Sequence, residues 1–193
     1  MKKEYNIIYA DPPWRYGNGR HGPHSVERHY PTMSMEEISA LPVVDIAAKD
    51  SVLFLWVTFP MLHEAFHTIE AWGFRYKSVA FIWAKQNRLS KSWFMGMGYW
   101  TRANAEICLL ATKGKPKRKN ASVHQLIVTP IEEHSKKPEQ AREKIVTLLG
   151  DLPRLELFAR QYPPGWDVWG NEVDSADLGP KWPEVLRVCR AWC

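Results

Sequence analysis

The strongest constraint on the fold is an alternation between short apolar runs and segments of helical period. Residues 5–10 read YNIIYA, 51–58 SVLFLWVT, 77–85 KSVAFIWAK and 105–112 AEICLLAT. Each has the length of a buried strand and is rich in aliphatic or aromatic side chains. The stretch 60–73, PMLHEAFHTIEAWG, instead puts Leu62, Ala65, Phe66, Ile69 and Trp72 on one helical face. Pro60 suits its first turn and Gly73 its C-cap. The stretch 138–150, PEQAREKIVTLLG, repeats the device with Pro138 first and Ala141, Ile145, Leu148 and Leu149 on one face. Ser34 and Glu37 form a capping box that opens a short helix, which Pro42 ends. HQLIVT (124–129), RLELFA (154–159) and WDVWG (166–170) read as further strands. Strands alternating with helices predict an α/β fold with a mainly parallel central sheet flanked by helices. Ligands of such sheets sit beyond the carboxyl ends of the strands.

A length of 193 residues is that of one domain, and no internal repeat or long linker divides it. No stretch approaches the roughly 18 apolar residues of a membrane span, and Met1-Lys2-Lys3-Glu4 leads into no secretory core. A cytoplasmic protein with no membrane partner is therefore expected. Cys108, Cys189 and Cys193 form no Cys-x-x-Cys pair and no even disulfide framework, which fits a reducing compartment. His21, His24 and His29 lie close together, but no acid or thiol completes a ligand spacing, so no metal is expected. A net charge of +5 points to a polyanionic partner, and ten tryptophans supply more flat surface than a core needs.

The first apolar run ends in Asp11-Pro12-Pro13-Trp14, where this architecture places chemistry. The exocyclic amine of a nucleobase is a weak nucleophile because its lone pair is delocalised into the ring. A site improves it by accepting both amine hydrogens and turning the lone pair toward an electrophile. Ionised Asp11 is a pure acceptor, and Pro12 keeps its carbonyl while lacking an amide hydrogen. Two consecutive prolines fix φ and hold that carbonyl in advance. Trp14 would offer a face for the base, worth about 1–3 kcal/mol. Asp-Pro-Pro is equally a plain turn, and a tryptophan just after a turn commonly anchors a core. The tetrapeptide alone leaves both readings open.

This segment resembles the catalytic motif of the S-adenosylmethionine-dependent methyltransferases that modify the exocyclic N6 amine of adenine. That family includes the catalytic subunit of the messenger-RNA adenosine methyltransferase and its phage and bacterial DNA-modifying relatives. RANAEICLLATKGKP (102–116) resembles the family's strand before a basic loop, and HSKKPEQ (134–140) its lysine-proline helix start. LELFARQYPPGWDVWGNE (155–172) resembles its closing segment. The resemblance implies a Rossmann-like methyltransferase fold, with residues 1–172 as the catalytic domain and 173–193 as a C-terminal tail. It assigns Asp11, Pro12, Pro13 and Trp14 to the reacting base. Asp11 would also border S-adenosylmethionine, and Lys137 would meet the carboxylate of its methionine moiety. Glu156, Arg160 and Asn171 would sit at its ribose, and Glu172, where the family often has an amide, joins them. Glu156 in a buried strand needs a counter-charge, for which Arg160 is the candidate. The QYPP that follows Arg160 offers no family contact, and cofactor-adenine contacts are not assigned.

Two long polar loops, 15–33 and 86–104, follow strands whose carboxyl ends should face this site. They carry Arg15, Arg20, Arg28, Arg88, Lys91 and Arg102, with Trp93 and Trp100 interleaved. Cations there would hold phosphates while aromatics support an unstacked base. Lys113, Lys115, Lys117, Arg118 and Lys119 form a basic run expected to add non-specific attraction, or else a solvated loop. GMG at 96–98 lacks the third glycine and following helix of a nucleotide loop, and reads as freedom in a loop near the substrate. The resulting expectation is methyl transfer to adenine in nucleic acid, DNA being favoured over RNA for so compact a chain, in a bacterium or phage. The alternatives are a cytosine-amine methyltransferase and a catalytically silent nucleic-acid-binding subunit.

Overall fold

The computed structural model describes residues 3–15, 32–98, 100–132 and 136–182. The strands are β1 (Tyr5–Ala10), β2 (Ala47–Val57), β3 (Arg75–Gln86), β4 (Ala105–Lys113), β5 (Leu126–Pro130), β6 (Arg154–Leu157) and β7 (Asp167–Trp169). The helices are α1 (Met35–Ser39), α2 (Leu62–Ala71) and α3 (Gln140–Leu149). All seven strands join one sheet in the order β5-β3-β4-β2-β1-β6-β7. β1 pairs in parallel with β2 and β6, β6 with β7, and β3 with β5. β4 lies antiparallel to both β2 and β3, so it alone opposes the direction of the other strands. The sheet is mixed but mainly parallel, and the α/β architecture is that of a Rossmann-like methyltransferase.

The apolar runs lack polar alternation because helices cover both faces of the sheet. Ile8, Leu53, Leu55 and Leu109 pack with Ile38 of α1 and with Ala65 and Ile69 of α2. Their neighbours Ile7, Phe54, Trp56 and Cys108 point the other way, to Ala141, Ile145 and Leu149 of α3. Truncating any of the larger aliphatics to alanine is expected to cost about 2–5 kcal/mol.

Several boundaries differ from the sequence reading for local reasons. β2 starts at Ala47 because that residue pairs with Tyr5, and polar Lys49 and Asp50 fit in a register shift between Tyr5 and Ile7. α2 begins after a 3₁₀ turn, Phe59–Met61, which contains Pro60. β6 stops at Leu157 because Phe158 adopts φ 63°, a left-handed conformation that no strand continues. Part of the segment read as a tail packs onto the core: Val173, Leu178 and Trp182 are buried, and the Trp182 ring lies 4.9 Å from that of Trp169. The remainder of that tail, 183–193, lies outside the described residues.

The topology fixes where a site forms. After β1 the chain passes to β2 on one side, and it returns later as β6 on the other. The strand order thus reverses direction at β1, and it is beyond such a switch point that sheets of this kind bind ligands. Asp11 is the first residue beyond the end of β1.

Candidate active site

The DPPW segment leaves β1 as a tight, doubly tethered turn. Trp14 N–H donates to the Pro12 carbonyl at 2.9 Å, closing a three-residue turn around Pro13, whose ring-fixed φ suits it. Met33 N–H donates to the Pro13 carbonyl at 2.8 Å and Arg15 N–H to the Met33 carbonyl at 3.0 Å, so residues on either side of the first long loop are tied together. A carbonyl has two acceptor positions, and the turn uses one of those on Pro12 while fixing the direction of the other.

Trp14 differs from the stacking face expected of it. Its side chain is 5% exposed, within the core, and its indole N–H donates to the Trp56 carbonyl at 3.1 Å. The indole anchors the turn, and its burial leaves no open face for a base.

Asp11 heads a line of alternating charges. Its Oδ2 accepts from Lys137 Nζ at 2.6 Å. Lys137 Nζ lies 3.3 Å from Glu106 Oε2, and the other Glu106 oxygen accepts from Lys85. Lys137 is buried over the Trp56 ring, 5.7 Å from its centroid. Burial pushes the Asp11 carboxyl above its ordinary range, and the Lys137 charge pulls against that rise. Glu106 is also desolvated, yet Lys137 and Lys85 outweigh that and hold it at about 2. Desolvation opposes the Lys137 ammonium too, but its two carboxylates keep it above the usual lysine range. Lys137 is thus firmly charged and shared between two acids. Asp11 Oδ1 makes no hydrogen bond to any described residue, and the carboxylate is partly open to solvent.

Sequence reasoning singles out neither Glu106 nor Lys85. Glu106 is the second residue of β4, and because β4 runs antiparallel its start lies at the carboxyl edge of the other strands. An acid in an otherwise apolar strand is the available signal.

Glu156 is corrected in its partner. It lies beside Tyr9 in the β1–β6 ladder, and both its oxygens are taken by Arg142 of α3, at 2.7 and 2.8 Å, not by Arg160. Burial raises the Glu156 carboxyl and Arg142 opposes this. Arg160 sits instead beyond β6, with its Nε 3.4 Å from Glu172 Oε1. Asn171 and Glu172 are exposed just past β7. These three occupy the same edge as Asp11, and the Arg160 charge acts on Asp11 to favour its ionised form. Gly170 stands before Asn171 because a Cβ there would collide with the Ala159 carbonyl.

Of the expected polymer contacts, Arg15 is held by Thr32, while Arg20 and Arg28 lie outside the described residues. Arg88, Lys91, Trp93, Trp100 and Arg102 are exposed on the connection that follows β3, at the Asp11 edge. Lys113, Lys115, Lys117, Arg118 and Lys119 begin at the end of β4, which is the opposite edge. Lys113 Nζ donates there to the Val44 and Ala47 carbonyls, and Lys115 N–H to Asp50. No group of three or more potential metal ligands occurs among the described residues, and no helix among them is long and apolar enough to cross a membrane.

Comparison with known proteins adds kinship to this geometry. The MT-A70 family model matches residues 5–172. The type II methyltransferase M.MunI of Mycoplasma sp is 35% identical over 191 residues, covering 89% of this chain and 79% of that protein. The N(6)-adenine-specific methyltransferase METTL4 of Homo sapiens is 32% identical over 187 residues, 89% of this chain and 38% of that protein. The N(6)-adenosine-methyltransferase MT-A70-like of Arabidopsis thaliana is 29% identical over 177 residues, 90% of this chain and 24% of that protein. With the match running from the first residue of β1 to the residue after Asn171, the chain belongs to the MT-A70 family.

Proposed function

We propose that this chain transfers the methyl group of S-adenosylmethionine to the exocyclic N6 amine of adenine in DNA. One observation carries the reading: two acceptors of different kinds, Asp11 Oδ1 and the turn-fixed Pro12 carbonyl, stand together at the topological switch point. The adenine assignment is supported by kinship to a protein named as N(6)-adenine-specific. DNA is favoured by the type II methyltransferase, of which the chain covers 79%, over the adenosine-methyltransferase relative, of which it covers 24%.

The donor set fits S-adenosylmethionine. Lys137 is a cation for its carboxylate, and Asn171 and Glu172, with Arg160 beside them, suit the hydroxyls of its ribose. Glu156 accepts from Arg142 with both oxygens and so holds β6 to α3 beneath that edge. When bound, the cofactor supplies an electrophilic methyl carbon on a sulfonium sulfur.

The chain's own residues then do three things. Asp11 Oδ1 and the Pro12 carbonyl accept the two amine hydrogens, which turns the nitrogen lone pair out of the ring system. Asp11 stabilises the positive charge that grows on that nitrogen as its bond to carbon forms, and its raised pKa suits it to take the proton the nitrogen sheds. Lys137 keeps Asp11 ionised beforehand and fixes its Oδ2. No thiolate is needed: Cys108 is buried, and burial holds its thiol protonated.

Incubation with methyl-labelled S-adenosylmethionine and matched DNA and RNA oligomers, followed by nucleoside digestion, tests the reading. Label in N6-methyladenine from DNA is expected. Label in methylcytosine would replace adenine with the rival base, and label from RNA alone would replace the polymer. Cofactor binding with no transfer to either would mark a silent subunit.

A further inference from the structure

The connection after β3 forms an arm that doubles back along the end of that strand. Asn87 N–H donates to the Ser92 carbonyl at 3.0 Å, and the Asn87 side chain donates to Ser92 Oγ and to the Trp93 carbonyl. This reversal lays Trp93 and Phe94 back along the end of β3, where Phe94 N–H donates to the Lys85 carbonyl at 2.9 Å. The chain then doubles back again, with Gly96 N–H on the Ala103 carbonyl at 3.0 Å. A Cβ on Gly96 would collide with Ala103, and one on Gly98 with Thr101. The two glycines of GMG therefore serve close backbone packing.

What this frame displays is unusual for a protein surface. Leu89 and Trp100 are 102% and 92% exposed, and Trp93, Met95 and Met97 of the same segment are exposed too. Soluble proteins seldom gather large apolar side chains in water without a partner. The arm also carries Arg88, Lys91 and Arg102, while residues 87–104 contain no aspartate or glutamate. A second copy of the chain would meet like charge, whereas a polyanion with an apolar interior satisfies both features. Stacked DNA is such a partner: its phosphates meet cations, and apolar wedges enter between its base steps. The arm leaves the carboxyl edge at Lys85–Gln86, and Lys85 is itself the outer end of the Asp11 charge line.

Resting on the adenine methyltransferase reading, we infer that the arm opens duplex DNA. Its apolar side chains enter the stack beside the target, so that the adenine leaves its pair and reaches Asp11. The substrate is then the intact double helix, and the work of opening is done by the arm and not by the site.

The test compares wild type with a Trp93→Ala/Trp100→Ala variant, and with Met95→Ser/Met97→Ser. The substrates are a duplex oligonucleotide that wild type methylates and the same duplex with an abasic position opposite the target adenine. On the paired duplex the tryptophan variant should lose roughly 10- to 100-fold in turnover, the scale set by unstacking and unpairing one base. On the abasic partner most of that deficit should vanish, because the pair is already open. With 2-aminopurine at the target position, the fluorescence rise on wild-type binding should be lost in both variants. Equal loss on the two duplexes would reduce the arm to a general contact, and no loss on either would remove it from substrate handling. A change of oligomeric state in the variants would make the arm a subunit interface. Methyl transfer to the abasic duplex by wild type tests the enzyme reading separately.

Discussion

Two buried acid–base assemblies lie side by side at the end of β1, and they are built to different ends. Arg142 and Glu156 form a closed pair in which both carboxylate oxygens are satisfied by one guanidinium, and neither group faces solvent. Asp11, Lys137, Glu106 and Lys85 form an open line: one ammonium is divided between two acids, and the terminal Asp11 keeps an oxygen without a described partner. The first arrangement leaves neither carboxylate oxygen without a donor, and only Arg142 Nη1 is buried without a hydrogen bond to a described residue. On the proposed function, the second is completed when an amine hydrogen of the substrate reaches Asp11 Oδ1.

The largest effect on stability should come from breaking the closed pair. Arg142→Ala leaves Glu156 charged and buried, and urea unfolding should show a loss of about 3–5 kcal/mol. Replacing both partners with apolar residues of similar volume should recover most of that loss. A comparable apolar replacement of Asp11 and Lys137 should leave a folded protein without turnover, which no gain in packing repairs. If that double variant still methylates DNA, the contrast between the assemblies fails.

Glu106→Gln sharpens the contrast through pH. The Glu106 charge raises the Asp11 carboxyl and competes for Lys137. Removing that charge should lower the Asp11 pKa and move the acid limb of kcat/KM to lower pH. An unmoved limb would detach Glu106 from Asp11. The same variant bears on stability. Glu106 is held at about 2 in the fold, against about 4.3 in an unfolded chain. Its ionised form therefore stabilises the protein above the unfolded value, and that contribution is lost as pH falls toward 2. Asp11 and Glu156, raised by burial, work in the opposite sense, since the fold favours their protonated forms. Glu106→Gln should consequently lose less stability than wild type between pH about 4.3 and 2.

The smallest effect concerns the two groups of exposed cations. Neutralising Arg88, Lys91 and Arg102 should flatten the slope of log affinity against log salt by roughly 0.9 for each phosphate left without its cation. Neutralising Lys115, Lys117, Arg118 and Lys119, at the far edge of the sheet, should flatten it less. The reverse order would place the polymer on the other side of the molecule.

Strand direction explains most of what the sequence conceals. The run YNIIYA followed by DPPW locates the site, and the lysine before Pro138 is recognisable without its partners. AEICLLAT shows that a strand exists but carries no local mark of which way it runs. Its antiparallel course alone brings Glu106 to Asp11, and the same course carries residues 113–119 away from it. Trp14 is hidden for a different reason. Whether an indole faces water or core depends on what lies across the sheet, here the Trp56 carbonyl, which is 42 residues away in the chain.

The most direct test of the central claim is the single-turnover rate of methyl transfer by Asp11→Ala, at saturating cofactor and DNA, with DNA binding measured in parallel. Removal of the charged acceptor should slow transfer by at least about 10²–10³-fold, on the scale of removing one preorganised transition-state hydrogen bond, while DNA affinity changes little. A variant that binds DNA and transfers methyl at the wild-type rate would show that the pair of oxygens at the end of β1 does not hold the amine.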